Sequence, residues 1–407
     1  MVTALEYGVK GDKWFSLMDK VFSPANLAAA WQKVQANRGA AGADHQSVTM
    51  FATHAAANLE NLHTQLCAGT YRPAVIKRVW IPKPGSREQR PLGIPTVRDR
   101  VAQTALRQVI EPLFEREFCA HSYGFRPGRG CQQALSRVTE LLDAGYGWVI
   151  DADVRQYFDS IPHERLLDMV RVRIADGKVL QLIADFLQQG VLDGLTQWTP
   201  EQGTPQGAVI SPLLANLYLH PLDKLAETRG WEMVRYADDF IVLCRSKAEA
   251  NATLQEIAEW MSEAGLRLHE EKTRIVEMGQ VGGFDFLGYH FEAGYKWPRR
   301  KSEQQIKEKL RQQTRRHDGR SLRVINAGLS RTLRGWYEYY KHSNGNIFRR
   351  LDQWLRGRLR SILRRRQKRK GRARGSDHQK WPNAYFAEHG LYSLAAAHAL
   401  YRHSKKG

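Results

Sequence analysis

The stretch RYADDFIVL, Arg235–Leu243, sets two carboxylates side by side, Asp238 and Asp239, inside an aromatic and aliphatic run. Its surroundings, WEMVRY before and FIVLC after, read as two short apolar strands with the acids at the bend. Adjacent acids in such a place cost free energy unless something compensates them. A lone ADD is read equally well as a turn with solvated acids. A second acid-bearing strand argues against that reading. In YGWVIDADVRQYFDSIPHERLL, Val149, Asp151 and Asp153 share one face by the period of two, and Asp153 ends an apolar strand able to pair with the hairpin. Magnesium takes carboxylate oxygens, with phosphate and water completing its octahedron. Two-ion phosphoryl transfer draws its carboxylates from more than one strand.

The chain has 407 residues, 42% of them hydrophobic, and a net charge of +20. This bounds it to two or three domains with real cores and a polyanionic partner. The charge is unevenly placed: Phe291–Gly407 holds 31 Lys and Arg against 8 Asp and Glu, so the first 290 residues are near neutral. The four cysteines, Cys67, Cys119, Cys131 and Cys244, form no CxxC, so neither a zinc knuckle nor a disulfide framework is expected. The N-terminus lacks a basic segment followed by an apolar one, and no long apolar run exists. The expected location is the cytoplasm, with no membrane association.

Local patterns give a coarse map. Ser23 and Pro24 open a helix that glycines end before Asp44, and Ser47 to Leu66 continues as a helical pattern. Val75–Pro95 reads as a hairpin around a Pro/Gly/Ser turn, and Val97–Glu117 as an amphipathic helix. GTPQGAVISPLLANLYLHPLDKLAE is a Gly/Pro loop entering a long helix. RLHEEKTRIVEM and GGFDFLGYHF are strand-like, and beyond about residue 300 the pattern is helical and basic.

Taken in order, these motifs resemble those of a bacterial group II intron reverse transcriptase with its maturase domain. YADD (Tyr236–Asp239) is similar to the polymerase signature, DADVRQYFDSI to the earlier metal-ligand motif, and GTPQGAVISPLLANLYLH to the PQG motif. IPKPGSREQRPLGIP, SYGFRPGRGCQQAL, EEKTRIV, FLGY and LRGWYEYY fall in the family's order and cover nearly the whole chain. The resemblance implies an α+β right-hand polymerase, fingers and palm, followed by an α-helical thumb/maturase domain and a basic C-terminal region. The expected boundaries are 1–145 for the N-terminal extension and fingers, 146–290 for the palm, and 291–407 for the thumb/maturase.

It also implies residue roles. Asp153 and Asp238 are the main ligands of two Mg²⁺ ions, with Asp239 beside them; Asp151 and Asp159 are structural acids. Lys83 and Arg90 face the incoming triphosphate, with Arg87 a chemical alternative; Arg forks suit that task. Phe158 would exclude a ribose 2′-hydroxyl, with Tyr157 its competitor. Gln206 and Lys272 also contact the nucleotide. Arg126 and Gly288 would lie against template and primer. In RGRLRSILRRRQKRKGRAR, Arg356, Arg364, Arg365, Arg366, Lys368, Arg369 and Lys370 would bind RNA, with strong salt dependence. Trp336 and Tyr340, four apart on a helix, are expected to be core, and WPNAYFAEHGLYSL to fold back onto its domain.

The implied activity is RNA-directed DNA synthesis with splicing assistance and retrohoming. The implied partners are the intron RNA, an RNA template with DNA primer, target DNA and deoxynucleotides. Many members carry a C-terminal HNH nuclease with paired cysteines. No paired cysteines occur in this sequence, so target-strand cleavage is not expected. The alternative is a domesticated enzyme in defence or repair without an intron, which would keep every motif above.

Overall fold

The computed structural model describes residues 13–82, 88–369, 371 and 374–404. The chain divides into two compact units, Met1–Val276 and Glu277–Gly407. The first holds two sheets. Strands β1 (Ile76–Pro82) and β2 (Gln89–Ile94) form the expected hairpin, with Ile81 opposite Arg90. Strand β3 is Trp148–Asp153; β4 (Val191–Asp193) and β5 (Thr196–Trp198) make a short hairpin turning at Gly194, whose φ is 60°. That hairpin joins the first sheet, in the order β2-β1-β4-β5, with β1 and β4 parallel.

Strands β6 (Glu232–Tyr236), β7 (Asp239–Cys244) and β8 (Arg274–Glu277) complete the second sheet, in the order β6-β7-β3-β8. Strand β7 is central and buried from Phe240 to Cys244, which explains its unbroken apolar run. Ile150, Ala152, Phe240 and Val242 share one core with Leu213, Leu217 and Leu222 of the Ser211–Arg229 helix and with Ile257 and Met261 of the Lys247–Glu263 helix. Each of the larger side chains contributes roughly 1.5–3 kcal/mol on burial, and Ala152 less. Ser23 caps the helix Pro24–Asn37 by accepting from the Asn26 N–H at 3.4 Å. The pattern from Ser47 is two helices, Val48–Thr53 and Ala55–Ala68, broken at His54.

The second unit opens with β9 (Phe284–Phe286), β10 (Tyr289–Glu292) and β11 (Tyr295–Pro298), ordered β11-β10-β9. Its main helices are Arg300–Gln313, Leu322–Tyr340, Asn346–Arg366 and Leu394–Ser404. Tyr340 is buried as expected, and its ring lies tilted 4.8 Å from that of Trp336, which is only half-buried at the edge of the packing. Trp381, Phe386 and Leu394 are buried in the same unit. Among the described residues no helix is long and apolar enough to cross a membrane.

Candidate active site

The second sheet brings the acids together. Asp153 ends β3 directly opposite Asp239 at the start of β7, and Asp239 faces Tyr236 across a two-residue turn of Ala237 and Asp238. Asp238 is half-buried. Burial pushes its carboxyl above the ordinary range, and the Asp153 charge pushes it further, against the pull of its own backbone N–H and of Arg235. Lys272 Nζ lies 3.1 Å from Asp153 Oδ2, and Arg274 Nε lies 3.3 Å from Asp151 Oδ2. Asp151 is therefore turned to an ion pair on the sheet face.

A cleft of about 1060 Å³ opens beside Asp153 and is lined by Arg78, Arg90, Gln206 and Lys272 among others. Gln206 Nε2 donates to Asp159 Oδ2 at 3.4 Å, and its carbonyl accepts from Gly93 N at 2.6 Å. Burial raises the Asp159 carboxyl, with Arg78 opposing, so this acid belongs to the cleft wall. Gly207, at φ 107°, passes so close to β2 that a Cβ there would meet the Gly93 carbonyl oxygen at 2.3 Å. Phe158 is half-buried and packs against the core of the first unit. Its competitor Tyr157 is fully buried, with its hydroxyl donating to the Ala215 carbonyl, and cannot face a substrate. The cation Arg78 stacks 4.6 Å from the Trp198 ring, a contact made by the β4–β5 hairpin. Lys83, Arg87 and Lys370 lie outside the described residues.

Several expected nucleic-acid contacts point inward. Arg126 is buried; its guanidinium donates to Glu115 at 2.8 Å and to the carbonyls of Cys119 and Ser122 at 2.6 and 2.7 Å. It ties down its own loop and presents no donor to a template. Gly288 shares with Leu287 a positive-φ turn, and its close neighbour is Tyr340, whose Oη lies 2.9 Å from where a Cβ would stand. The close approach expected toward a primer is thus filled within the unit. The basic segment is split. Arg364 pairs with Asp377 at 2.9 Å and is buried, and Arg356 leans on Asp352 at 3.7 Å. Arg365, Arg366, Lys368 and Arg369 are exposed, with Arg366 also donating to the Asp318 carbonyl at 3.1 Å.

Composition and motif reading missed what stands behind the acids. Arg235 is fully buried, and its Nε donates to Asp223 Oδ1 at 2.7 Å. Its Nη1 reaches Asn216 Oδ1 at 3.0 Å and the Ala237 carbonyl at 2.9 Å. Asn216 Nδ2 in turn donates to the Gly124 carbonyl at 2.7 Å. Cys119, His220 and Asp223 offer ligand atoms within 4.8 Å of one another. Both Asp223 oxygens hold Arg235, so that carboxylate is committed to the ion pair, and burial pushes the Cys119 thiol up to about 12. The motifs SYGFRP and SPLLAN were the available signal, but their contact with the turn is a tertiary fact.

Residues 81–291 match the family described as reverse transcriptase (RNA-dependent DNA polymerase), and residues 303–381 match the group II intron maturase-specific domain. Protein YkfC of Escherichia coli (strain K12) is 33% identical over 314 residues, 67% of this chain and 82% of that protein. The group II intron-encoded protein LtrA of Lactococcus lactis subsp. cremoris is 38% identical over 197 residues, 48% of this chain and 32% of LtrA. The match thus spans about a third of LtrA's length. An uncharacterized 91 kDa protein in the cob intron of Schizosaccharomyces pombe is 41% identical over 151 residues, 37% of this chain and 18% of that protein. With just over half of its length matched by one family and YkfC matched along most of its own, the chain belongs to the reverse transcriptases, RNA-directed DNA polymerases, of the kind that carries a group II intron maturase domain.

Proposed function

We propose that β1, β2, β4 and β5 act as fingers, that the β3-β6-β7 sheet is the palm, and that the second unit supplies the thumb and maturase surface. The family uses divalent metal ions, and its two domains imply nucleic-acid partners. Asp153, Asp238 and Asp239 would hold two Mg²⁺ ions. Their donor set is all carboxylate, which suits a hard cation. When bound, the ions activate the primer 3′-hydroxyl and neutralise charge on the α-phosphate under attack.

The rest is the work of side chains. The hairpin fixes the carboxylates, so positioning costs little at the moment of reaction. Arg90 and Lys272, both on the cleft wall, would take the triphosphate, and the family resemblance gives Lys83 the same role. Phe158 would crowd the sugar 2′ position and select deoxynucleotides. Gln206 would order the nucleotide or template through its amide. Arg365, Arg366, Lys368 and Arg369 would hold intron RNA by its phosphates and stabilise its splicing-competent fold, leaving cleavage to the ribozyme. Together with target DNA, these activities would support retrohoming.

The observation that most supports this reading is the register placing Asp153 opposite Asp239, with Asp238 in the adjoining turn. Its test is Asp238→Ala. Primer extension on an RNA template should fall to background while assistance to splicing of the parent intron persists. Extension that survives removes the assignment of the acids; loss of both activities in a folded protein removes the division of labour. Sequencing RNA that co-purifies from the host then separates the maturase from a domesticated enzyme: one long structured RNA continuous with the gene's flanks supports the former, diverse cellular RNAs the latter.

A further inference from the structure

The turn that presents Asp238 is strained. Ala237 sits at φ 60°, in the left-handed region. The β4–β5 hairpin turns in the same two-residue way, with the same φ of 60° at its first turn residue, and there the residue is Gly194. A non-glycine residue in that region is strained and persists only where its surroundings over-determine it.

Ala237 is held from two sides. Its carbonyl accepts from Arg235 Nη1 at 2.9 Å. On the other side Gly124 lies so close that a Cβ there would stand 2.2 Å from the Ala237 nitrogen. Asn216 joins the two, donating to the Gly124 carbonyl at 2.7 Å and accepting from Arg235 Nη1 at 3.0 Å. The loop is also laced to β6: Tyr123 N donates to the Arg235 carbonyl at 2.8 Å, and Arg235 N to the His121 carbonyl at 3.0 Å. The remaining donors of the guanidinium hold Asp223, so the buried charge is matched. A buried ion pair is a poor source of stability, since a well-packed apolar pair often does as well. What it offers here is a planar group fixed by its fork on Asp223, so that Nη1 is held against the Ala237 carbonyl.

We infer that Arg235, anchored by Asp223 and Asn216, is a positioning residue that clamps the Ala237–Asp238 turn and so sets where the Asp238 carboxylate stands. It touches neither nucleotide nor template. This rests on the polymerase reading above and adds a residue to it. It also explains why three separate motifs, SYGF, SPLLAN and RYADD, meet at one point.

The test compares Arg235→Lys and Asn216→Ala with the unaltered protein in steady-state primer extension, per folded molecule. Both kcat and KM for deoxynucleotide are measured, with a Mg²⁺ titration. Displacing the carboxylate by about 1 Å should lower kcat on the order of a hundredfold. The Mg²⁺ needed for half-maximal rate should rise several-fold. KM, set by the cleft wall, should hold within about twofold, as an interaction made only in the transition state requires. Asn216→Ala leaves the ion pair in place and decides the matter if Arg235→Lys fails to fold. Wild-type kcat and Mg²⁺ dependence in the folded variants overturn the inference. So does a loss of activity that only tracks the loss of folded protein. Inactivity of the unaltered protein on any template–primer would instead overturn the polymerase reading.

Discussion

Asp238 is the residue on which fold and function pull in opposite directions. Burial and the Asp153 charge raise its carboxyl above the unfolded value. The contribution to stability is therefore complete at low pH and is lost as pH rises through the raised value. At neutral pH the carboxylate destabilises the fold it serves, a common cost of a functional site. Asp238→Asn in divalent-free buffer at neutral pH should thus raise Tm by about 2 °C or more. Mg²⁺ should then stabilise the unaltered protein more than the variant, by linkage. A variant with a lower Tm, or an equal response to Mg²⁺ in thermal melts, would contradict this.

At the scale of elements, one carboxylate secures two chain segments. Asp176 caps the Gly177–Leu187 helix, accepting from Lys178 N at 3.0 Å and Val179 N at 3.3 Å. Its other oxygen accepts from Leu17 N at 2.7 Å and Met18 N at 2.9 Å, at the start of the short helix Met18–Val21. Burial alone would raise this carboxyl, but the four backbone N–H groups outweigh it and hold it below the usual range. Its stabilisation is present above the unfolded pKa and is lost as pH falls through the lowered value. Asp176→Ala should cost about 1–3 kcal/mol in urea unfolding, combining a lost cap with orphaned donors. A change below about 0.5 kcal/mol, the size of an ordinary surface substitution, would contradict the double cap.

Across the whole molecule, the basic excess serves two ends. Arg360 and Arg364 are buried inside the second unit, where Arg360 donates to the Trp381 carbonyl at 2.9 Å and Arg364 to Asp377 at 2.9 Å. Arg365 and Arg369, on the same stretch, are exposed. Replacing Arg365 and Arg369 with Ala should weaken RNA binding and lower the slope of log K against log salt by roughly 0.7–0.9 for each phosphate that is no longer neutralised. Arg364→Ala should instead lower Tm and leave that slope alone. Filter binding across a salt series, beside thermal melts, checks both; an unchanged slope in the double variant would remove RNA contact from this segment.

Much of this was written locally. Short apolar runs marked β3, β6 and β7, and the acids at their ends marked the site, because strand formation and carboxylate chemistry depend on residues close in sequence. The tripled Arg364–Arg366 run could not be divided that way. A charge count is blind to which side of a helix a partner such as Asp377 will cover. The β4–β5 hairpin was also hidden, since three-residue strands carry too little periodicity to stand out. So was the clamp on Ala237: Gly124, Asn216 and Arg235 lie far apart along the chain, and only folding brings a glycine, an amide and a guanidinium around one carbonyl. The sequence by itself determined the chemistry, through the carboxylates and their strands. Only the tertiary structure decided which cations face outward and how the strained turn is held, because burial and hydrogen-bond partnership are properties of packing.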